Sequence, residues 1–266
     1  DTHPALCVPE LMRLLVDEHN YSWDKAWDIT CRTLSYTNHT VMSEALERWD
    51  VGLFQQLLPR VYQIVQEIDR RLRVDLHGFY GNDMGKIEYM AVISKNEIRM
   101  ANLCLACCHK VNGVSKLHSE ILTNSIFRDY YQMEPDHFCN VTNGIAYRRW
   151  LCQSNPKLTA LLKELIGGGF TKDSRELEKL MKYHDDQKVL QKLQDIKLDN
   201  KKRLADLILK RNGVVVDPGS LFDVQIKRLH EYKRQLLNVL QILHMYLELK
   251  NNPNAPFQPR TFVFAA

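Results

Sequence analysis

Between Leu221 and Ala266 the hydrophobic period changes twice, and this restricts the possible folds more than any other part of the chain. Phe222, Val224 and Ile226 alternate as they would in a strand. From about Leu229 the spacing changes, and Tyr232, Leu236, Leu240, Leu243 and Leu247 fall on one helical stripe. Pro253 and Pro256 follow the helix end, and Arg260-Thr-Phe-Val-Phe-Ala-Ala266 is a short, mostly apolar run suited to a buried strand. Strand, long helix, strand is the βαβ unit of a parallel, doubly wound sheet, so the expected class is α/β.

The rest of the chain reads as helix-rich. Pro9 suits a first turn, and Leu11, Leu14, Leu15 and Glu18 follow at helical spacing. Ser22 is placed to cap an amphipathic helix through Trp23 and Trp27. A third helix is expected from about Ser43, and a longer one from about Leu57 to Leu76, striped by Leu58, Val61, Tyr62, Val65 and Ile68. Gly78 to Gly85 reads as a turn-rich loop. Residues 100–111 read as apolar helix, with Ser115 to Leu122 extending its packing. The stretch Cys139-Asn-Val-Thr-Asn-Gly-Ile145 is irregular, Asn143-Gly144 marks a sharp turn, and a domain junction is expected there. From Lys172 to about Lys210 the chain is strongly charged with sparse leucines, as on exposed rim helices.

Composition narrows the function classes. With 266 residues, 45% of them hydrophobic, the chain can bury a substantial core in one large domain or two smaller ones. Its apolar runs are too short for a membrane span and it shows no secretory leader pattern, so a soluble, cytoplasmic protein is expected. A net charge of +4, with basic residues scattered among acidic ones, argues against a nucleic-acid surface. The seven cysteines, Cys7, Cys31, Cys104, Cys107, Cys108, Cys139 and Cys152, do not resemble a disulfide framework. Asp1-Thr-His-Pro has no initiator Met and the chain closes on an apolar strand, so a fragment of a longer protein is expected.

Chemistry concentrates where the strand gives way to the helix. Lys227, Arg228, His230, Lys233 and Arg234 crowd into that switch. On one continuous helix Arg228 and Lys233 would point about 140° apart, whereas an intervening loop lets both reach the helix N-terminus. A helix N-terminus favours anions, and the carboxyl end of a strand is where open α/β sheets bind ligands. The pattern suggests a phosphate site; the competing reading is an exposed basic helix start that Glu231 balances. Elsewhere, Asn143 before Gly144 reads as a turn residue and His39 as a hydrogen-bonded core histidine beside Thr37 and Thr40. Cys104-Leu-Ala-Cys-Cys-His109 reads as buried thiols rather than a metal site, and His118 as structural.

Several blocks, taken together, resemble the α-glucan phosphorylases. They are Asp1-Thr-His-Pro4, Tyr36-Thr-Asn-His-Thr40, Glu44-Ala-Leu-Glu-Arg-Trp49, Val111-Asn-Gly-Val114, Val141-Thr-Asn-Gly-Ile145 with Arg148-Arg-Trp150, and Ile226-Lys-Arg-Leu-His-Glu-Tyr-Lys-Arg-Gln-Leu-Leu-Asn238. They occur in the family's order from the first residue to near the last. The resemblance implies a GT-B fold of two Rossmann-like domains with the site in the cleft between them. Residues 1–142 would end the glucan-site domain, and residues 143–266 would begin the cofactor domain. It further implies a pyridoxal phosphate enzyme, cytoplasmic and homodimeric. Such an enzyme transfers the terminal glucose of an α-1,4-glucan (glycogen, starch or maltodextrin) to inorganic phosphate, with retention.

By the same resemblance Arg228 and Lys233 match positions that bind the substrate phosphate, Lys227 one against the cofactor phosphate, and Tyr232 one near the sugar 2-hydroxyl. His39 and Asn143 match the pair that holds the 6-hydroxyl, while Asp1 and His3 match polar residues lining a pocket beside the glucose. Many relatives have Thr-Pro where Ala146-Tyr147 stands here, and Pro in place of Ser43; neither change removes one of these groups. No block resembles the family's Schiff-base lysine or its glycine-rich phosphate cradle, so the 266 residues alone are expected to be inactive. Two alternatives stay open: a nucleotide-sugar glycosyltransferase of the same fold, and a non-catalytic glucan-binding segment.

Overall fold

The computed structural model describes residues 1–266, which divide into two compact units, Asp1–Ile145 and Ala146–Ala266. The first opens with helices α1 (Cys7–Arg13) and α2 (Trp23–Thr33), then strands β1 (Tyr36–Asn38) and β2 (Arg48–Asp50). Helices α3 (Val51–Leu57), α4 (Pro59–Tyr80) and α5 (Met84–Met90) follow, and then β3 (Ile93–Ser94), β4 (Glu97–Arg99) and α6 (Met100–Cys107). The unit is completed by β5 (Val111–Gly113), α7 (Lys116–Ile121), α8 (Arg128–Met133) and β6 (Phe138–Asn140).

Helix α4 organises this core. Pro59 at its first position pre-sets the backbone, and Gly81, at φ 63°, ends it. Its inner face (Ile64, Val65, Ile68, Leu72, Leu76) packs with Met12, Ile87, Met90, Ile98 and Leu103. Burying each such side chain contributes about 1.5–3 kcal/mol. Two small sheets flank these helices: a parallel one in the order β1-β5-β6 and an antiparallel one in the order β2-β4-β3. Lys95 and Asn96 both take positive φ in the two-residue turn joining β3 to β4, the conformation a tight hairpin needs.

The expected helix from Ser43 is only a single 3-10 turn, Ser43–Ala45. Arg48 and Trp49 instead pair with Arg99 and Ile98, and Asp50 caps the following helix by accepting the Leu53 N–H at 2.9 Å. The loop expected at 78–85 shrinks to a turn, because α4 runs to Tyr80 and α5 starts at Met84. Helix α6 stops at Cys107, where the chain leaves to place Val111–Gly113 between β1 and β6.

The second unit contains α9 (Pro156–Ile166), α10 (Gln187–Asn212), β7 (Leu221–Ile226), α11 (Gln235–Asn251) and β8 (Arg260–Ala265). Asp186 caps α10 by accepting the Lys188 and Val189 N–H groups, and Gly213 in the left-handed region ends it. Strands β7 and β8 pair in parallel over six residues, Leu221 with Arg260 through Ile226 with Ala265, so the βαβ unit is present. Its helix starts at Gln235 rather than near Leu229, because Arg234 is left-handed at φ 62° and interrupts the ladder. The apolar stripe on α11 remains uncovered, Leu236 at 72% exposure. The chain is thus a helix-rich α/β protein with small parallel and antiparallel sheets. None of its helices is long and apolar enough to cross a membrane.

Candidate active site

In the first unit, three parallel strands bring one group of residues together. Asn38, Gly113 and Asn140 are aligned across β1, β5 and β6, so His39, Val114 and Val141 leave the sheet at one edge. That edge holds the carboxyl ends of the strands, the usual ligand side of an open α/β sheet. His39 is exposed there and is not a core histidine; the buried one is His118 on α7, at 8% exposure.

Asn143 is also exposed, and its backbone N–H donates to the Val114 carbonyl at 3.3 Å. The sharp turn expected at Asn143-Gly144 is absent: residues 141–146 form no turn and Gly144 has no positive φ. Asn112 on β5 carries the chain onward instead, its Oδ1 accepting the Val141 N–H at 2.6 Å. Asp1 lies beside β1, with its main-chain nitrogen donating to the Thr37 carbonyl at 2.6 Å and its carboxylate 3.9 Å from His3 Nδ1. All four candidates therefore adjoin this sheet or its loops. Their imidazole, amide and carboxylate groups suit hydroxyl recognition.

Behind this edge lies a buried polar network. His118 Nδ1 accepts the Val114 N–H at 3.2 Å, so its proton is on Nε2, which donates to Asn38 Oδ1 at 2.9 Å. Asn38 Oδ1 also accepts the Thr40 N–H at 3.0 Å, while Asn38 Nδ2 donates to the Tyr36 hydroxyl at 3.0 Å. Burial, and then the nearby His39, hold His118 below the ordinary histidine range. Burial pushes the Tyr36 hydroxyl up to about 12, so it stays protonated.

The second unit holds the cationic group. Lys227 directly follows β7, and its N–H donates to the Ala265 carbonyl at 3.0 Å. A 3-10 turn, Glu231–Lys233, then precedes α11. Arg228, Tyr232 and Lys233 therefore lie in the segment between strand and helix, as the loop reading requires. Gln235 secures that segment by donating from Nε2 to the Arg228 carbonyl at 3.1 Å. The His230 and Tyr232 ring centroids lie 4.1 Å apart with their planes tilted by 48°, and Lys233 Nζ stands 5.8 Å from the Tyr232 centroid.

Ion pairs in this unit involve Lys157, Arg175, Lys179, His184, Lys192 and His244. None includes Lys227, Arg228, Lys233 or Arg234, and Glu231 does not neutralise them. Helix α11 begins with no side-chain cap and no acidic residue in its first turn, which leaves its leading N–H groups free. Lys227, Arg228, Lys233 and Arg234 thus lie between the end of β7 and an uncapped α11, and their groups are of the kind that binds phosphate. Sequence reasoning did not find Gln235 as an anchor or the Asn38 network: an amide inside a motif carries no sign of what it bonds.

The thiols of Cys104, Cys107 and Cys108 are free and buried. Hydrogen bonding to Cys108 and burial push Cys104 and Cys107 up, which makes them unreactive.

Comparison with known proteins bears on both groups. The family described as "Phosphorylase: Carbohydrate phosphorylase" matches residues 1–266. A glycogen phosphorylase of Bacillus subtilis (strain 168) is 49% identical over 266 residues, which is 100% of this chain and 33% of that protein. The human muscle form of glycogen phosphorylase is 46% identical over 264 residues, covering 98% of this chain and 31% of its own length. The bovine brain form is likewise 46% identical over 264 residues. The chain thus spans about a third of the length of these relatives.

Proposed function

The chain belongs to the carbohydrate phosphorylase family, and from that premise we propose that it is the segment of an α-1,4-glucan phosphorylase that holds the substrate phosphate and the terminal glucose. The observation that carries this reading is that Lys227, Arg228, Lys233 and Arg234, in the segment joining β7 to the uncapped α11, enter no ion pair. Phosphorolysis needs such cations. Two unit negative charges about 4 Å apart repel by about 4 kcal/mol at an effective dielectric of about 20, and a phosphate substrate beside a cofactor phosphate carries more charge than that. Preorganised cations remove this barrier and stabilise charge as the glycosidic bond breaks.

In this reading Arg228 and Lys233 bind orthophosphate, Arg228 through its planar fork and Lys233 as a point charge. Lys227 would hold the phosphate of pyridoxal phosphate, which when bound supplies an acid–base partner for the substrate phosphate. His39 and Asn143 hold the glucose 6-hydroxyl, Tyr232 lies toward the 2-hydroxyl, and Asp1 and His3 line the adjoining pocket. The substrate is glycogen or a related α-1,4-glucan. The parent enzyme is a cytoplasmic homodimer of GT-B design. Residues 1–142 belong to its glucan-site domain and 143–266 to its cofactor domain; the division of the chain after Ile145 supports that assignment. The cofactor's Schiff-base lysine lies outside these blocks, so the 266 residues do not turn over by themselves.

The test uses the full-length enzyme carrying this segment. Glycogen with phosphate should yield glucose 1-phosphate, and borohydride should trap pyridoxal on the protein. Activity that requires a nucleotide sugar and no pyridoxal would instead indicate a glycosyltransferase. Glucose 1-phosphate formed by the purified 266-residue chain would overturn the inactivity proposed for it.

A further inference from the structure

We propose that Asn38 and His118 are positioning residues, which lock the loops bearing His39 and Asn143 into one arrangement and so set recognition of the sugar 6-hydroxyl. The proposal rests on the reading of His39 and Asn143 as the 6-hydroxyl pair. Neither loop is fixed by strand pairing, because the β1-β5-β6 register ends at Asn38, Gly113 and Asn140. Beyond those residues a continuous hydrogen-bonded path runs from one loop to the other. The Thr40 N–H and the His118 Nε2–H both donate to Asn38 Oδ1. The Val114 N–H donates to His118 Nδ1, and the Val114 carbonyl accepts the Asn143 N–H. His39 lies between Asn38 and Thr40, both ends of that short span being tied to one oxygen.

The path has a single polarity. A flip of the Asn38 amide would set its NH₂ group against two N–H donors, the Thr40 N–H and the His118 Nε2–H, so these two fix the amide orientation and the Tyr36 hydroxyl takes the remaining Nδ2–H. The other imidazole tautomer of His118 would face the Val114 N–H with a second N–H. Asn38, His118 and Tyr36 are 1%, 8% and 3% exposed, so water cannot substitute for a lost partner. A displacement of about 1 Å at a recognition group can cost on the order of 100-fold in rate.

The experiment compares kcat/KM for glucan extension from glucose 1-phosphate and from its 6-deoxy analogue in the full-length holoenzyme. The ratio of the two measures 6-hydroxyl recognition separately from overall activity. His39→Ala should collapse the ratio; if it does not, the 6-hydroxyl reading fails and this proposal with it. With that control met, His118→Phe and Asn38→Leu should reduce the ratio by about tenfold, since a recognition site that has lost its geometry no longer rejects the deoxy substrate. His118→Gln, which keeps one donor and one acceptor, should recover part of it. Tyr36→Phe serves if the larger changes impair folding; it removes only the acceptor of Asn38 Nδ2 and should lower the ratio about twofold. Variants that lose activity equally on both substrates, with the ratio unchanged, would show that these residues are merely structural and overturn the proposal.

Discussion

Asp69 carries two backbone donors and a guanidinium on one carboxylate. It accepts the Val92 and Ile93 N–H groups at 2.7 and 3.1 Å and the Arg73 Nε–H at 2.8 Å, at 7% exposure. Asp69→Ala leaves these groups without a partner and should lower stability by about 3 kcal/mol, read from the urea midpoint at constant m. His118 gives a pH effect whose sign follows from its depressed value. The unfolded chain takes up the proton near 6.5 and the folded one only lower, so this contribution is complete above about pH 6.5 and declines as pH falls below it. Stability measured from pH 7.5 to 5 should therefore fall less in His118→Gln than in the parent. At this scale the sequence identified the residue types and read His118 correctly as structural, but its core-histidine reading of His39 failed. Local spacing cannot distinguish an exposed His39 from a buried His118, because the buried partner Asn38 comes from a distant strand.

The elements divide by how local their causes are. Helix α4 and the β7-α11-β8 unit were legible because their periodicity extends over many residues and their breakers lie in the sequence. Strand β2 was not: three residues carry no measurable period, and their strand state comes from pairing with β4 across a gap that local propensity cannot bridge. The start of α11 was set too early because a left-handed arginine is invisible in a stripe of leucines. Contact between β5 and α7 gives an element-scale prediction. A Cβ on Gly113 would sit 2.9 Å from the Ser119 Cα and 2.2 Å from its Oγ. Gly113→Ala should therefore push α7 off the strand, costing about 1–3 kcal/mol and disturbing the Val114 loop. Gly78→Ala, with open space around it and helical backbone, should be neutral or slightly stabilising in the same unfolding assay.

Across the whole chain, the resemblance carried by scattered blocks held at family level, where the match covers residues 1–266. Core is distributed unevenly between the two units. Every member of the large apolar cluster lies in Asp1–Ile145, while α11 buries none of its residues. A two-stranded sheet with an uncovered helix is marginal by itself. Native-state hydrogen exchange of the 266-residue chain should therefore show α11 amides opening with little protection and α4 amides opening last. Equal protection in both helices would contradict this distribution.

The central claim is that Arg228 and Lys233 hold the substrate phosphate, and the phosphate dependence of phosphorolysis tests it most directly. In the full-length holoenzyme, Arg228→Ala should lower kcat/KM for phosphate by about 100- to 1000-fold with the glycogen KM little changed, since a charge-stabilising donor is lost and the glucan contacts are not. Arg228→Lys should recover only part of that loss. Phosphate kinetics indistinguishable from the parent would contradict the assignment.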